Sequence, residues 1–391
     1  MVKYLLTGAR SMATLDLARH LHAAGHTIIA CDTENTPLTR FSKACQRYYT
    51  IPSPRFATEA FNGALLDIVQ REKIEVVIPN WEEILYVSRI LDRFPATCEV
   101  FCVPFDKLNQ LHNKYRFIKL IEELGLPTPK TVLIKEPSDL QGLPFHTPYA
   151  LKACYSRGSN AVHKVYPLQA PPAITIDPRN PWVAQEWIEG KQYCTYSVCR
   201  SGKVLAHSTY PIEFGHLGRF AVTFRAVEHP GILEWTKKLV AAQGHTGQIA
   251  FDFIESHSGT LYAIECNPRI TSGVHLFTRS DRLEQAFTGN PTSLITPTLG
   301  TRRQLLTGML MFGWRGNRNP FALMRYLRHL VTTRDTVARL TDPLPFMAIP
   351  LLFKTYYRRS RRLGLTMANH FTHDVEWSQE PAEAQEEILA R

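Results

Sequence analysis

The N-terminal segment alternates between apolar runs and a helical pattern, and this alternation constrains the fold more than any other feature. An apolar run at residues 4–6 leads into a Gly-containing turn, a helical pattern with Leu15, Ala18 and Leu21 follows, and a second apolar run begins after Gly25. Such a β-α-β unit opens a parallel sheet. The runs IEVVIPN and CEVFCVP continue the alternation, which predicts an open α/β domain up to about residue 105.

The first strand-to-helix loop, TGARSM, contains a single Gly. A dinucleotide fingerprint needs three glycines at this place, for the turn, for the close approach of a pyrophosphate and for helix packing. The loop therefore favours a tight turn over a nucleotide site.

The composition is that of a globular protein with more than one core: 391 residues, of which 44% are hydrophobic and 20% charged. No segment reaches the roughly 18 uninterrupted apolar residues of a spanning helix, and MVKYLLTGARS lacks the layout of a secretory signal. The eight cysteines form no CxxC pair, which is typical of reduced thiols. We expect a cytoplasmic protein of two or three domains.

The middle of the chain has a different pattern of predicted secondary structure from the N-terminal segment. A helix, NKYRFIKLIEELG, is ended by Gly125, Pro127 and Pro129. Short β segments separated by turn residues then follow over about 145–275, which predicts antiparallel meanders with interspersed helices.

The region beyond residue 300 is helical in pattern and strongly basic. Residues 301–372 contain thirteen Lys and Arg against two acids. Because the full chain has a net charge of +10, the residues outside this segment are together nearly neutral. A basic surface that follows apolar residues is typical of a segment that binds an anionic membrane face, a nucleic acid or an acidic carrier protein. The alternative is a helical cap whose apolar side completes the core. If vesicles bind, we expect salt-sensitive binding that is lost when the last cationic cluster is neutralised: Arg358, Arg359, Arg361 and Arg362.

The segment FDFIESHSGTLYAIECN predicts a hairpin with a two-residue turn at Ser258–Gly259. In that register Asp252 lies opposite Glu265, and Asn267 shares the face of Glu265 because alternate strand residues point the same way.

The same register pairs Glu255 with Tyr262 and His257 with Thr260. Like charges opposed across strands destabilise a sheet by up to about 1 kcal/mol, so the pair of acids needs compensation. Oxygen ligands without His or Cys suit Mg²⁺, which is usually completed by water and substrate phosphates. The alternative is an ordinary ion network with basic side chains.

With these motifs, residues 1–300 resemble the ATP-grasp superfamily of carboxylate ligases. DFIES and YAIECNPRITSG are similar to its metal hairpin, which implies Asp252, Glu265 and Asn267 as ligands of Mg²⁺ or Mn²⁺. Arg269 matches the arginine that faces the reacting phosphoryl and acyl groups.

The resemblance also implies an ATP site. WVAQEWIEGKQY resembles the strand that holds adenine, Lys114 and Lys152 match the two nucleotide lysines, with Lys152 also catalytic, and CYSRGSNA resembles the loop that covers the phosphates. Gln192 stands where relatives often carry an acid for the ribose, which is a departure from the family. The implied nucleotide contacts are Lys114, Lys152, Ser156, Gly158, Ser159, Gln185, Glu186, Trp187, Ile188 and Gln192.

The resemblance implies three parts: a Rossmann-like pre-ATP-grasp domain over 1–105, an ATP-grasp domain over 106–300 with a smaller lid at about 115–190, and a basic, mainly helical region over 301–391. The implied reaction is attack of a carboxylate on the γ-phosphorus of Mg-ATP, followed by capture of the acyl phosphate by an amine. Two alternatives stay open: a carboxyphosphate enzyme acting on bicarbonate, and an inactive ATP-binding regulatory protein.

Substrate contacts are expected beyond the carboxyl ends of the parallel strands, where Glu82 and Glu83 follow an apolar run. The alternative is that these acids cap the next helix. Glu213 and His275 are further candidates. The expected partners are a small carboxylate and an amine, with a homodimer and a peripheral location at the inner membrane face as additional expectations.

Overall fold

The structure is a computed structural model. It describes residues 1–156, 162–167, 169, 171–212, 221–289, 291–313 and 319–377. Three residues named above, Gly158, Ser159 and Glu213, lie outside the described residues.

A five-stranded parallel sheet forms the N-terminal part, in the order β3-β2-β1-β4-β5. The predicted open parallel sheet is therefore confirmed. Its strands are β1 (Lys3–Leu6), β2 (Thr27–Asp32), β3 (Arg47–Thr50), β4 (Val76–Ile78) and β5 (Glu99–Val100), and its helices are α1 (Met12–Ala23), α2 (Thr58–Glu72) and α3 (Glu83–Val87).

Helix α1 begins where the Ser11 side chain accepts a hydrogen bond from the Ala13 backbone N–H at 3.2 Å. This cap satisfies one of the amides that have no partner within the helix. Its buried side includes Leu15 and Leu21, and the chain leaves the helix at Gly25, whose φ of +88° favours glycine. The loop TGARSM is thus a strand-to-helix turn.

Two helices lead from this sheet into an antiparallel sheet with the order β6-β9-β7-β8. The helices are α4 (Phe105–His112) and α5 (Lys114–Glu123), and the strands are β6 (Thr131–Ile134), β7 (Tyr149–Ala153), β8 (Val162–Val165) and β9 (Trp182–Glu186).

A second antiparallel sheet, in the order β11-β10-β13-β14, follows and carries the predicted hairpin. Its strands are β10 (Gly190–Arg200), β11 (Lys203–Pro211), β13 (Gly247–Ser256) and β14 (Leu261–Asn267), and α6 (Pro230–Gln243) lies in the connection before β13. Trp235 of α6 packs edge-on against Phe251 and Phe253, with ring centroids 5.1 and 4.9 Å away. One face of this sheet is therefore apolar.

The remaining elements join the two ends of the chain. A three-stranded sheet has the order β12-β15-β16, a π-helical turn spans Met309–Gly313, and short 3₁₀ turns lie at Leu38–Phe41, Leu91–Arg93, Pro137–Leu140, Ser272–Leu276 and Arg279–Asp281. The elements are β12 (Thr223–Arg225), α7 (Glu284–Thr288), β15 (Arg302–Gln304), α8 (Leu306–Gly308), α9 (Pro320–Thr332), β16 (Arg334–Asp335), α10 (Leu344–Met347), α11 (Ile349–Arg362) and α12 (Met367–His373).

The C-terminal region is mainly helical, as predicted, and it packs on the N-terminal sheet. Buried Arg10 contacts Asp32 and also Asp374 at 2.8 Å. Trp377 packs against Tyr86, with ring centroids 4.9 Å apart. These contacts join the N-terminal part of the chain to its C-terminal part. The predicted division into three domains, with boundaries at residues 105 and 300, stays a prediction. Among the described residues, no helix has the length and apolarity needed to cross a membrane.

Candidate active site

Four side chains form a row across the second antiparallel sheet. Cys194 of β10 pairs with Tyr210 of β11 on one side and with Asp252 of β13 on the other, and Asp252 pairs with Glu265 of β14. The row lies on the face opposite Phe251 and Phe253, because neighbours of Asp252 in a strand point the other way. The alternation FDF therefore buries two rings in the core and turns the acid toward a cavity that all four side chains of the row line.

The predicted pairing of Asp252 with Glu265 is observed, but the turn beside it differs from the prediction. Ser256 and Thr260 close the hairpin through a backbone hydrogen bond of 2.9 Å, so the loop has three residues. Gly259 adopts φ +81° there. The extra loop residue shifts the register, and Glu255 pairs with Leu261.

The predicted pairs Glu255–Tyr262 and His257–Thr260 are therefore wrong. The register shifts back between Asp252 and Phe253, because Phe253 pairs with Ala263 and leaves Ile264 as a bulge. The two shifts of one residue cancel, so the acids end up opposite each other.

The two carboxylates repel each other in this position. Burial, followed by the charge of Glu265, raises the pKa of Asp252 from 3.8 to about 6. Lys114 Nζ lies 3.7 Å from Glu265 Oε1, and the charges of Arg269 and Lys114 oppose the rise in the pKa of Asp252 without cancelling it. A divalent cation fits this donor set.

Asn267 and Arg269 complete the same end of the hairpin. The Arg269 guanidinium donates to Asn267 Oδ1 at 2.7 Å and to the Ile270 carbonyl at 3.3 Å. Within the described residues no group of three or more His, Cys, Asp or Glu side chains could hold a metal. Two acids and a carboxamide leave coordination positions for water and phosphate oxygens, as Mg²⁺ prefers.

The two predicted nucleotide lysines lie close to the acids. Lys114 begins α5 and its Nζ donates to the Ser156 carbonyl at 3.0 Å. Lys152 is buried and donates to Gln185 Oε1 at 2.6 Å. Burial, with the nearby charge of Lys114, lowers the pKa of Lys152 to about 8. A buried cation held by a neutral amide is ready to gain an anionic partner.

The predicted adenine strand runs beside Lys152. Gln185 of β9 is buried, and its Nε2 donates to Thr131 Oγ1 at 3.0 Å. Glu186 accepts from the backbone N–H of Lys130 at 3.2 Å, and Lys164 Nζ lies 4.4 Å from the centroid of the Trp187 ring.

The other predicted nucleotide contacts differ in exposure. Ile188 is half-buried, whereas Gln192, on β10, is exposed. Ser156 is half-buried, and its hydroxyl donates to the Ala153 carbonyl at 3.3 Å.

A cavity of about 310 Å³ extends from the hairpin to the N-terminus of α1. Its wall joins Asp252, Glu265, Asn267 and Arg269 to residues that the sequence analysis did not single out. These additional residues include Ser11, Met12, Ala13, Trp81, Thr195, Tyr210, Phe224, Leu305 and Phe371.

Of the predicted substrate residues, His275 lines this cavity, and its Nδ1 lies 2.8 Å from Asp16 Oδ2. Glu83 is buried and accepts from the backbone N–H groups of Asn80 and Trp81 at 3.1 and 2.9 Å. Glu82 accepts from the Trp377 N–H at 3.1 Å.

Neither glutamate lines the cavity. The capping alternative is not observed either, because Glu82, at the N-cap of α3, accepts no hydrogen bond from a helix N–H and binds the C-terminal segment, and Glu83 binds amides that precede α3. Asp16, the partner of His275, was not predicted as a site residue. The sequence contains a signal for it, because Asp16 is an acid on the apolar side of α1.

Comparison with known families identifies the domain. Residues 111–273 match the family model described as ATP-grasp domain, so the chain contains an ATP-grasp domain and the predicted resemblance is confirmed. At the level of this family, the match agrees with the predicted ligase-type enzyme, with ATP and with magnesium. A comparison with curated protein sequences finds no match.

Solved structures share the fold at low sequence identity. An L-amino acid ligase from Bacillus licheniformis is 17% identical with a TM-score of 0.55, and the match covers 73% of this chain and 74% of that one. An N5-carboxyaminoimidazole synthetase from Staphylococcus aureus complexed with ADP is 12% identical, with a TM-score of 0.60 and coverage of 77% and 80%.

The biotin carboxylase domain of 2-oxoglutarate carboxylase from Hydrogenobacter thermophilus, in complex with MgADP, ADP and bicarbonate, is 14% identical. Its TM-score is 0.58, and the match covers 75% of this chain and 71% of that one. At these identities the likeness concerns the fold alone, and it confirms the predicted α/β and ATP-grasp architecture.

Proposed function

We propose that this protein is an ATP-dependent ligase that activates a small carboxylate as an acyl phosphate and joins it to an amine. The observation that carries the proposal is the half-buried pair Asp252 and Glu265, opposed across two strands, with Lys114 in contact with Glu265. The ATP-grasp domain and the ADP and MgADP complexes of the similar structures support ATP and magnesium as the partners of this pair.

Asp252, Glu265 and Asn267 would hold the metal. When bound, magnesium would offset the negative charge of the phosphate oxygens. Removing the mutual repulsion of the two acids stabilises the bound state, because the protein has already oriented both carboxylates toward one position. Asn267 would share its oxygen between the metal and Arg269, which places the guanidinium beside the reacting phosphoryl group.

The cations have separate roles in this proposal. Lys114 contacts Glu265 and the Ser156 carbonyl, so it links the metal site to the start of the predicted phosphate loop. Lys152 exchanges the neutral amide of Gln185 for a phosphate oxygen, and Arg269 steadies the acyl phosphate. Positioning and charge compensation of this kind need no nucleophile from the protein.

The cavity favours an organic acid over bicarbonate. Trp81, Tyr210, Phe224 and Phe371 give its far wall an aromatic character, and burying an apolar group against such rings contributes about 25 cal/mol per Å². Bicarbonate has no group to fill that space. We therefore infer that the carboxylate or the amine carries an apolar side chain.

The test is a screen for ADP and phosphate release across amino acids, hydroxy acids and amines, with and without Mg²⁺. We expect turnover only with a matched acid and amine, with product formed in equal amount to ADP. Turnover that depends on bicarbonate alone would identify the carboxyphosphate alternative. Tight Mg-ATP binding without turnover across the whole panel would favour the regulatory alternative.

For the basic region, we propose that α9 contacts an anionic lipid surface. Phe321, Met324 and Val331 lie on one face of the helix and are 83%, 66% and 84% exposed. Arg328 is exposed on the same side, and the segment 319–334 contains no acid. Outward apolar residues flanked by arginine are typical of helices that lie in a membrane interface.

Flotation with vesicles tests this contact. We expect binding to vesicles that contain phosphatidylserine, weak binding to phosphatidylcholine alone, and loss of binding in Phe321→Ser/Val331→Ser. Neutralising Arg358, Arg361 and Arg362 should weaken binding and its salt dependence. Arg359 is left out because it donates to buried Glu34 at 2.6 Å. Self-association that disappears in the serine variant, without vesicle binding, would instead identify a contact between two copies.

A further inference from the structure

A second cavity lies between the N-terminal helix α1 and the C-terminal region. It has a volume of about 980 Å³ and is lined by residues of α1, of the 3₁₀ turn at Arg279–Asp281 and of the segment 334–342. Cationic side chains dominate its wall: Arg19, Lys43, Arg279, Arg303, Arg334 and Arg339. This volume lies at the upper end of the roughly 300–1,000 Å³ that is common for small-molecule sites.

The two acids in the wall are occupied by the chain itself. Asp342 accepts from Arg19 Nε at 2.9 Å and from the Ser42 hydroxyl at 2.6 Å. Asp335 accepts from the backbone N–H groups of Leu306 and Val337 at 2.7 and 2.8 Å. These carboxylates therefore fix the backbone around the cavity and compensate little of its positive charge.

Several cations of the wall form no ion pair. Within the residues that the structure describes, this holds for Arg303, Arg334 and Lys43, and Arg303 donates only to the Arg302 carbonyl at 2.9 Å. Arg303 is partly buried, and burial lowers its pKa; the charge of Asp16 opposes this shift, and the charges of Arg339 and Arg334 add to it. Such a cluster of like charges is unfavourable unless an anion is present.

A buried imidazole also borders the cavity. His20 is 6% exposed and lines the cavity, and its Nε2, which is shielded from solvent, has no hydrogen-bond partner among the described residues. Because solvent in the cavity does not reach this nitrogen, the cationic side chains, and not His20, are the candidate contacts for a ligand.

We propose that this cavity is a binding site for a small molecule that carries two or more phosphate groups. Guanidinium groups bind phosphate oxygens through paired N–H donors, and Arg303 and Arg334 approach the cavity from the adjacent parallel strands β15 and β16. The cations of the wall come from several segments of the chain and the cavity has a volume of about 980 Å³, which favours a chain of phosphates over a single one.

The site is connected to the cavity at the metal hairpin. Arg339 contacts Asp16 of α1, and the other oxygen of Asp16 lies 2.8 Å from His275 Nδ1. His275 and the first residues of α1 line the hairpin cavity. An anion that takes Arg339 from Asp16 leaves the negative charge of this carboxylate less compensated beside His275, and any effect of one site on the other must then be mutual. This coupling rests on the function proposed above, whereas the binding site does not.

Isothermal titration with sodium tripolyphosphate at constant ionic strength tests the site. We expect Arg303→Gln/Arg334→Gln to weaken binding by about 100-fold, since each charged hydrogen-bonding group contributes about tenfold. Arg71→Gln/Arg302→Gln removes the same charge from exposed positions and should stay within about twofold of wild type. Lys114→Gln/Lys152→Gln, which alters the predicted ATP site, should keep the tripolyphosphate binding.

The outcomes separate the possibilities. If the lysine double variant loses tripolyphosphate binding and the arginine double variant keeps it, only the nucleotide site binds tripolyphosphate. That result would overturn the proposal. Equal losses in the arginine pair and in its surface control would overturn it too. Should the double variant fail to fold, Arg334→Gln alone, at an exposed position, is expected to lose about tenfold.

Asp16→Asn tests the coupling without any activity assay. Releasing Arg339 from Asp16 should tighten tripolyphosphate binding by about fivefold, the lower end of coupling between sites. An unchanged affinity would exclude the link to His275 and leave the binding site to be judged by the arginine variants.

Discussion

The interface between the two ends of the chain and the metal hairpin both bury charged side chains, but they compensate them differently. At the interface, Arg10 is 1% exposed and contacts Asp32 and Asp374, so the cation is surrounded by acids. At the hairpin, two acids, Asp252 and Glu265, face each other, and Lys114 Nζ lies 3.7 Å from Glu265 Oε1.

The difference separates structural charge from functional charge. Matched charges satisfy each other in the folded chain and hold distant segments together, whereas a surplus of one sign is costly until a ligand of the other sign arrives. The basic cavity resembles the hairpin because it also has a surplus of one charge, which is positive in the cavity and negative at the hairpin.

The largest effect is expected at the hairpin. Asp252→Asn should lower ATP turnover by on the order of 10³-fold, because it removes a charged metal ligand from the reacting centre. The unfolding free energy should not fall, because the repulsion with Glu265 is removed at the same time. Steady-state kinetics and urea denaturation measure the two quantities. A variant that keeps full turnover would break the assignment of the metal site.

The interface should respond in the opposite way. Arg10→Met leaves buried Asp32 and half-buried Asp374 without their cation, so we expect the unfolding free energy to fall by about 3–5 kcal/mol. Urea denaturation measures the loss. Adding Asp32→Asn and Asp374→Asn should restore part of the stability, and a triple variant as unstable as the single one would contradict the charge argument.

The two regions should also differ in the sign of their pH dependence. The pKa of Asp252 is raised from 3.8 to about 6, so between these values the folded protein holds a proton that the unfolded chain has released. The stability contributed by this group therefore falls as pH rises through that window. Burial opposes ionisation of Asp374, but Arg10 outweighs it and lowers the pKa of Asp374, so its contribution is lost as pH falls below about 4.

Difference curves isolate each group. Unfolding free energy of the wild type minus that of Asp252→Asn, measured from pH 4 to 7, should slope downward, and the corresponding curve for Asp374→Asn should slope upward at acidic pH. Slopes of the same sign would remove the distinction between the regions.

A smaller effect is expected at Lys152, whose pKa is lowered to about 8 by burial and by Lys114. Nucleotide binding needs the charged amine, so the affinity for Mg-ATP should fall by up to about tenfold per pH unit above 8. Titration calorimetry from pH 7 to 9.5 measures this, with Lys152→Met as the control that should lack the dependence. Equal pH profiles would show that the lysine does not meet the phosphates.

The opposed acids could be predicted because alternation within a strand is a local property. The pairing was right although the assumed turn was one residue short, since the bulge at Ile264 restored the register. Neither the bulge nor the longer loop has a clear local signal, because both depend on how the sheet twists and packs against Phe251 and Phe253. Glu82 and Glu83 were placed at the correct sheet edge, but their partners are backbone amides that only the folded loop and C-terminal segment bring near.

The sequence by itself determined the parallel sheet, the hairpin that opposes two acids and the positive charge of the C-terminal region, since each follows from residues close together in the chain. Only the tertiary structure decided which of those positive charges are matched. Arg359 and Arg339 contact Glu34 and Asp16, more than 300 positions away, whereas Arg303 and Arg334 converge on a cavity. The energy of a charge depends on what surrounds it in space, and those surroundings come from segments that the chain brings together only on folding.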